Sequence, residues 1–117
     1  NNNYCERPDY LLNKNAANAF YGINLENFKR LFPELPVKEM ALATTKVFDN
    51  IIRNAVITDD TVIVDWQANF DIIGRIKICL EDELFDNVKS KYGVDFPFND
   101  MDMIIDGCVD VAKIWIR

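Results

Sequence analysis

The chain has no histidine, and its 117 residues include a single serine, Ser90. Histidine is the usual base of Ser-His-Asp and Cys-His sites and the commonest zinc ligand, so its absence removes those constellations together. The four glycines, Gly22, Gly74, Gly93 and Gly107, never cluster, which excludes a phosphate-cradling loop and a dinucleotide fingerprint. Cys5, Cys79 and Cys108 are an odd number at wide spacing without a Cys-x-x-Cys pair. Neither a disulfide framework nor a zinc site is expected from them; they read as reduced, buried thiols of a cytoplasmic protein. No apolar run approaches the roughly 18 residues needed to cross a bilayer, and the first twenty residues are Asn-rich and polar instead of basic and then apolar. The first residue is Asn1 and not Met, so a removed leader or a longer parent chain stays open. No cofactor, no metal and no membrane partner is expected.

What is present is acid, unevenly placed. Residues 1–57 carry seven Lys/Arg against six Asp/Glu, and residues 58–117 carry six against thirteen, so local charges of +1 and −7 make up the net −6. Half of the residues are hydrophobic and 12% aromatic, far from the composition of a disordered chain. A chain of this length reads as one domain, residues 1–117, able to bury roughly two thirds of its unfolded surface.

The pattern along the chain predicts an α+β fold, predominantly helical, with about five helices and one β-hairpin over residues 61–81; the alternative is all-α. Asp9 to Tyr21, between Pro8 and Gly22, has the start and stop signals of a short helix. A second helix is expected from a cap at Asn24 to Phe32, ended by Pro33. From Val37 to about Ala55, Met40, Ala43, Val47 and Ile51 recur at helical spacing, widened by Phe48, Ile52 and Ala55. Residues 61–81 are rich in β-branched side chains that alternate, which suggests strands. One long helix is the competing reading there, with Trp66, Phe70, Ile73, Leu80 and Leu84 on a face that would also hold Lys77, and with Gly74 in its interior. Asp82 to Tyr92 reads as a helix with acid in its first turn, lysines in its last and Gly93 after it, its inner face being Leu84, Phe85, Val88 and Tyr92. An extended Val94 to Phe98 then leads to a last helix, capped by Asn99 or Asp100 and running to about Ile116. Its apolar stripe is centred on Ile104, Cys108, Val111 and Trp115.

No catalytic set emerges. Carboxylate pairs serve as acid and base in glycosidases and bind divalent metals, but the spacing here singles out none. Asp100-Met101-Asp102 followed by Asp106-Gly107 has too few ligands between and a misplaced glycine for a calcium loop. The plain reading of Asp102, Asp106 and Asp110 is the solvated face of an amphipathic helix. With Asp100 and Asp95 they also form a negative strip that Lys113 and Arg117 do not cancel, suited to a basic protein partner. Nucleic acid is the wrong partner, since phosphate demands the opposite sign. Phe98 and Trp66 are the candidate aromatic anchors of such an interface, with core burial as the alternative for each.

From Glu81 to Trp115 the chain resembles the back half of an acyl carrier protein: an acidic helix ending at Tyr92, an extended Val94-Asp95-Phe96-Pro97, and an amphipathic helix. Where those carriers hold the serine that takes phosphopantetheine, this chain reads Cys79-Leu80-Glu81-Asp82, so the resemblance implies a shape without its prosthetic group. In size and charge the whole chain is similar to the small acidic immunity proteins of bacterial toxin systems, including contact-dependent growth inhibition. That resemblance implies a non-enzymatic inhibitor of a basic toxin nuclease. The second functional expectation is a structural or adaptor domain that binds through an apolar patch.

Overall fold

The computed structural model of the chain describes residues 8–117, and Cys5 lies outside them. Pro8 leads into a 3-10 turn, Asp9–Leu11, and Asn13 then takes a left-handed φ of 64° that redirects the chain. The first helix, α1, is Asn15–Leu31, and α2 is Val37–Val56. A hairpin follows, β1 (Ile57–Thr58) and β2 (Thr61–Val62), then a second 3-10 turn, Trp66–Ala68. Helix α3, Phe70–Leu84, continues through a π turn, Phe85–Lys89, and a last helical turn, Ser90–Tyr92. The final helix, α4, is Asp100–Trp115. The fold is a predominantly helical α+β one, as expected, though several boundaries move.

Two expected helices are one. A glycine ends a helix by adopting a left-handed φ, and Gly22 does not; Gly93 is the only glycine among the described residues that does. The buried side of α1 therefore runs through Gly22 without a break, as Ala16, Ala17, Phe20, Tyr21, Asn24 and Phe28. Asn24, expected as a cap, sits in mid-helix and donates from Nδ2 to Thr45 Oγ1 of α2 at 3.2 Å. In α2 the expected span holds but the buried stripe is turned toward Met40, Ala41, Thr44, Thr45, Phe48, Ile52 and Val56, leaving Ala43 exposed.

The strands are fewer and earlier than expected. Ile57 pairs with Val62 and Thr58 with Thr61, so the hairpin spans residues 57–62 and not 61–81. Its two central residues, Asp59 and Asp60, have φ of 52° and 62°. Positive φ at both positions is what a two-residue turn of matching twist requires, and aspartate tolerates it better than most residues. Residues 70–84 are helical, as the competing reading had it. Asn69 starts this helix: its Oδ1 accepts from the N–H groups of Asp71 and Ile72, both at 3.1 Å. The helix buries Leu80 and Leu84 of the face that was considered, but with Ile72 and Ile76 in place of Phe70 and Ile73. Lys77 and Phe70 both point outward, while Gly74 does stand inside the helix, at a position with nothing within 4 Å of its missing Cβ.

Helices α1 and α3 each pack on both α2 and α4, so the four close a ring around one core. Phe20, Phe28, Phe48, Ile52, Ile76, Leu80, Leu84 and Ile104 fill it without exposure worth the name. In α4 the buried residues are Asp100, Ile104, Ile105, Cys108, Val109 and Ala112, with Ile116 buried just beyond it; Trp115, expected in the stripe, is half exposed at the end of the helix.

Trp66 is entirely buried, and its Nε1–H donates to the carbonyl of Ile116 at 2.9 Å. This corrects the expectation of a surface anchor: a side chain this large, one bond from the end of α4, holds the last helix against the hairpin side of the molecule. Trp66→Phe removes the donor, leaves the Ile116 carbonyl only the long 3.5 Å bond from Gln67 Nε2, and opens a cavity. It is expected to cost roughly 2–4 kcal/mol, read as a lower urea midpoint with an unchanged slope.

Candidate functional site

In an ideal α-helix a step of four residues overshoots one turn by about 40°, so Ile72 and Val88 would end about 160° apart. Both are buried. The π turn reconciles them: its bond from Ser90 N–H to the Phe85 carbonyl spans five residues and takes up the excess. Val88 returns to the core, and Phe85 is turned outward, 48% exposed, where an inward position was expected. Lys89, at the end of the same turn, places its Nζ 4.4 Å from the centre of the Phe85 ring.

Gly93 ends the helix with a φ of 64°, and the N–H of Val94 returns to the Lys89 carbonyl at 3.1 Å. The connector from Val94 to Asn99 is then held from inside. Phe96 packs edge-on against Phe32, with ring centres 5.4 Å apart and planes at 82°. Asn99 has a φ of 70°, and the N–H of Asp100 donates to the Pro97 carbonyl at 3.0 Å, which turns the chain into α4. Between π turn, connector and the first turn of α4 lies an open cleft of about 230 Å³. Glu81, Asp95 and Asp102 supply three carboxylates to its lining, Lys89 the one cation, and Phe85, Phe98 and Met101 much of its apolar wall.

Three of the seven residues expected to bind a partner meet here: Asp95, Asp102 and Phe98. Phe98 is 92% exposed. Asp106 and Asp110 are exposed on the same helix, farther along. Asp106 is not free, since Lys77 of α3 reaches its Oδ1 at 3.1 Å. Asp102 and Asp110 form no ion pair among the described residues. Asp100 departs from the expected strip altogether. It is 9% exposed, and its Oδ1 accepts from Arg30 of α1 at 2.7 Å. Trp66 belongs to the other end of α4, roughly 24 Å away by helical rise over sixteen residues, and takes no part in the cleft.

Glu81, Phe85, Lys89 and Met101 were not singled out in the sequence. Glu81 stood in a dense acidic run that gave no reason to prefer one member, and Phe85 was assigned to the core by a regular helical count. The π turn that reverses that assignment has no residue signature.

The remaining candidates do not build a site. No group of three or more Cys, Asp and Glu is placed to hold a metal among the described residues. Cys108 is buried, and its desolvation pushes the thiol well above its ordinary value, so it is inert packing. Cys79 is exposed, contrary to the expectation of buried thiols. A second cleft of about 180 Å³ between α2 and the end of α3 is lined by Thr44, Val47, Glu83, Asn87 and Lys91, among others. Burial raises the Glu83 carboxyl above its ordinary value; Asn87 Nδ2, donating to it at 2.6 Å, works in the opposite direction. No helix of the described residues is long and apolar enough to cross a membrane.

Compared with models of protein families, with curated proteins and with solved structures, the chain matches none.

The Arg30–Asp100 pair ties the end of α1 to the start of α4 and so sets one wall of the cleft. Arg30→Met leaves a nearly buried carboxylate without its cation and is expected to cost roughly 1–3 kcal/mol in urea unfolding. Arg30→Met combined with Asp100→Asn should cost less than Arg30→Met alone, because a neutral amide is cheaper to bury than a charge.

Proposed function

We propose that this protein is a non-enzymatic acidic binding protein that neutralises a basic protein partner, as an immunity or antitoxin protein does with a toxin nuclease, in the cytoplasm. The observation that carries the reading is the cleft, where the unpaired carboxylate of Asp102 lies with Glu81 and Asp95 around the exposed rings of Phe98 and Phe85. Fully burying a Phe side chain contributes about 1.5–3 kcal/mol, enough for Phe98 to act as an anchor beside the charges. The charges do the steering: a cleft of one sign raises encounter rates with an opposite partner by roughly 10 to 1000-fold. The lack of histidine and of any carboxylate spacing with a catalytic precedent supports binding over chemistry. The similarity in size and charge to small acidic immunity proteins points the same way.

The test uses charge reversal at Asp102 and Asp110, since Asp106 is already paired with Lys77 and its reversal would change two charges' surroundings at once. The partner this reading expects is the small basic C-terminal domain of a large secreted protein encoded beside this chain. Asp102→Lys with Asp110→Lys should slow association with that domain at least about tenfold at low salt and little at high salt. Equal rates at every ionic strength refute the proposal.

A second reading, an adaptor domain binding through an apolar patch, draws on Phe70, Ile78 and Phe85, which are all exposed and lie along the outer side of α3 and its π turn. It predicts self-association or apolar capture that strengthens with salt. A sedimentation profile that stays monomeric in both low and high salt speaks against it.

A further inference from the structure

The cleft has a cation in it already, and that cation belongs to the chain. Lys89 Nζ sits 4.4 Å from the centre of the Phe85 ring and 3.5 Å from Asp95 Oδ1. Ring face on one side and carboxylate on the other is the arrangement that receives a guanidinium or ammonium group from another molecule. Here it is made by one i, i+4 pair across the π turn and one connector residue.

The contacts that hold Lys89 are weak. Asp95 is 89% exposed in its side chain, and its distance to Lys89 is the longest of the four ion pairs among the described residues. An exposed pair of this kind is worth about 0–1 kcal/mol. The lining is also under-neutralised: three carboxylates face one ammonium, so Glu81 and Asp102 keep their charge uncompensated within the cleft. Arginine satisfies this lining better than the resident lysine, because its planar guanidinium stacks on an aromatic face while its fork of donors reaches carboxylates on two sides.

We propose that Lys89 is an internal placeholder in a side-chain subsite, and that a basic partner docks by inserting an arginine between the Phe85 ring and Asp95, displacing Lys89 toward solvent. This rests on the proposed function and specifies it: the partner is a protein that presents arginine on an exposed segment, with Phe98 packing on the apolar part of that segment. The displaced ammonium remains within reach of water, so the exchange replaces a weak internal pair by a stronger external one and leaves no charge buried alone.

The experiment uses the full chain and octa-arginine, octa-lysine and an uncharged Gly/Ser octapeptide as probes, with affinity from calorimetry and location from amide chemical shifts. Octa-arginine should bind more tightly than octa-lysine, the uncharged peptide not at all, and the largest shifts should fall at Phe85, Lys89, Asp95 and Asp102. Lys89→Met empties the subsite and should tighten octa-arginine roughly fivefold or more, in keeping with about 1 kcal/mol released. Lys113→Met removes the same charge from α4 outside the cleft lining and should tighten it by much less. Lys89→Gln repeats the test with a polar side chain, so an unfolded Met variant does not decide the matter. Phe85→Leu keeps the apolar wall but removes the ring face, and should abolish the preference for arginine over lysine. Equal gains from Lys89→Met and Lys113→Met overturn the placeholder. Shifts confined to Asp106 and Asp110 also overturn it, while leaving the acidic binding reading intact. Failure of both basic peptides to bind anywhere defeats the placeholder and the acidic binding reading together.

Discussion

The ion pair between Arg30 and Asp100 is the constraint on which the arrangement of the acidic side depends. It joins the last turn of α1 to the first residue of α4 at 2.7 Å, and it does so with a carboxylate that is nearly buried. An aspartate in the first turn of a helix already suits the helix dipole; coupling it to a neighbouring helix converts that local preference into a fixed docking angle. Trp66 performs the matching task at the far end through the Ile116 carbonyl. With α4 held at both ends, its inner side is committed to Ile104, Cys108 and Ala112, and Asp102, Asp106 and Asp110 have only the outside left to them.

The acid of the second half is consequently sorted into two kinds. Asp100 and Asp106 are each paired with a cation from another helix, Asp100 nearly buried and Asp106 exposed. Asp102 and Asp110 have no such partner among the described residues. A net charge of −6 thus overstates the field at any one place and understates its focus at the cleft. Electrostatic attraction at this surface comes from a few uncompensated carboxylates beside exposed rings, not from the sum over the chain.

Much of the helical architecture was legible, because Phe32-Pro33, Gly93 and the acid-then-lysine order before Gly93 act locally and leave few alternatives. What misled was residues 61–81. Ile72, Ile76 and Leu80 satisfy a period of four and, with Ile78, a period of two as well, so an alternating β-branched run fits strand and helix alike. The decision was made by Asn69, whose side chain caps two amides, and by the ring of helices that buries only the period-four set. Asp95, Asp102 and Phe98 could be named from sequence because nothing in their neighbourhood offered them a core. Asp100 could not be told from Asp102, since what separates them is an arginine seventy residues earlier. Trp66 stood next to turn residues, where it could serve as an anchor or join the core; its burial depends on the tail of α4 passing over it.

The π turn at Phe85–Lys89 holds one residue more than a regular helix would use to cover the same distance. Chain length, and not only side-chain identity, therefore shapes the cleft. Losing one residue from that turn would restore the ordinary pitch and still leave Val88 turned inward, because the deletion removes the same angle of about 100° that the π turn takes up. A descendant of this chain could therefore shed that residue by a single-codon deletion and keep its core, while the spacing between Phe85 and Lys89 along the cleft wall would change.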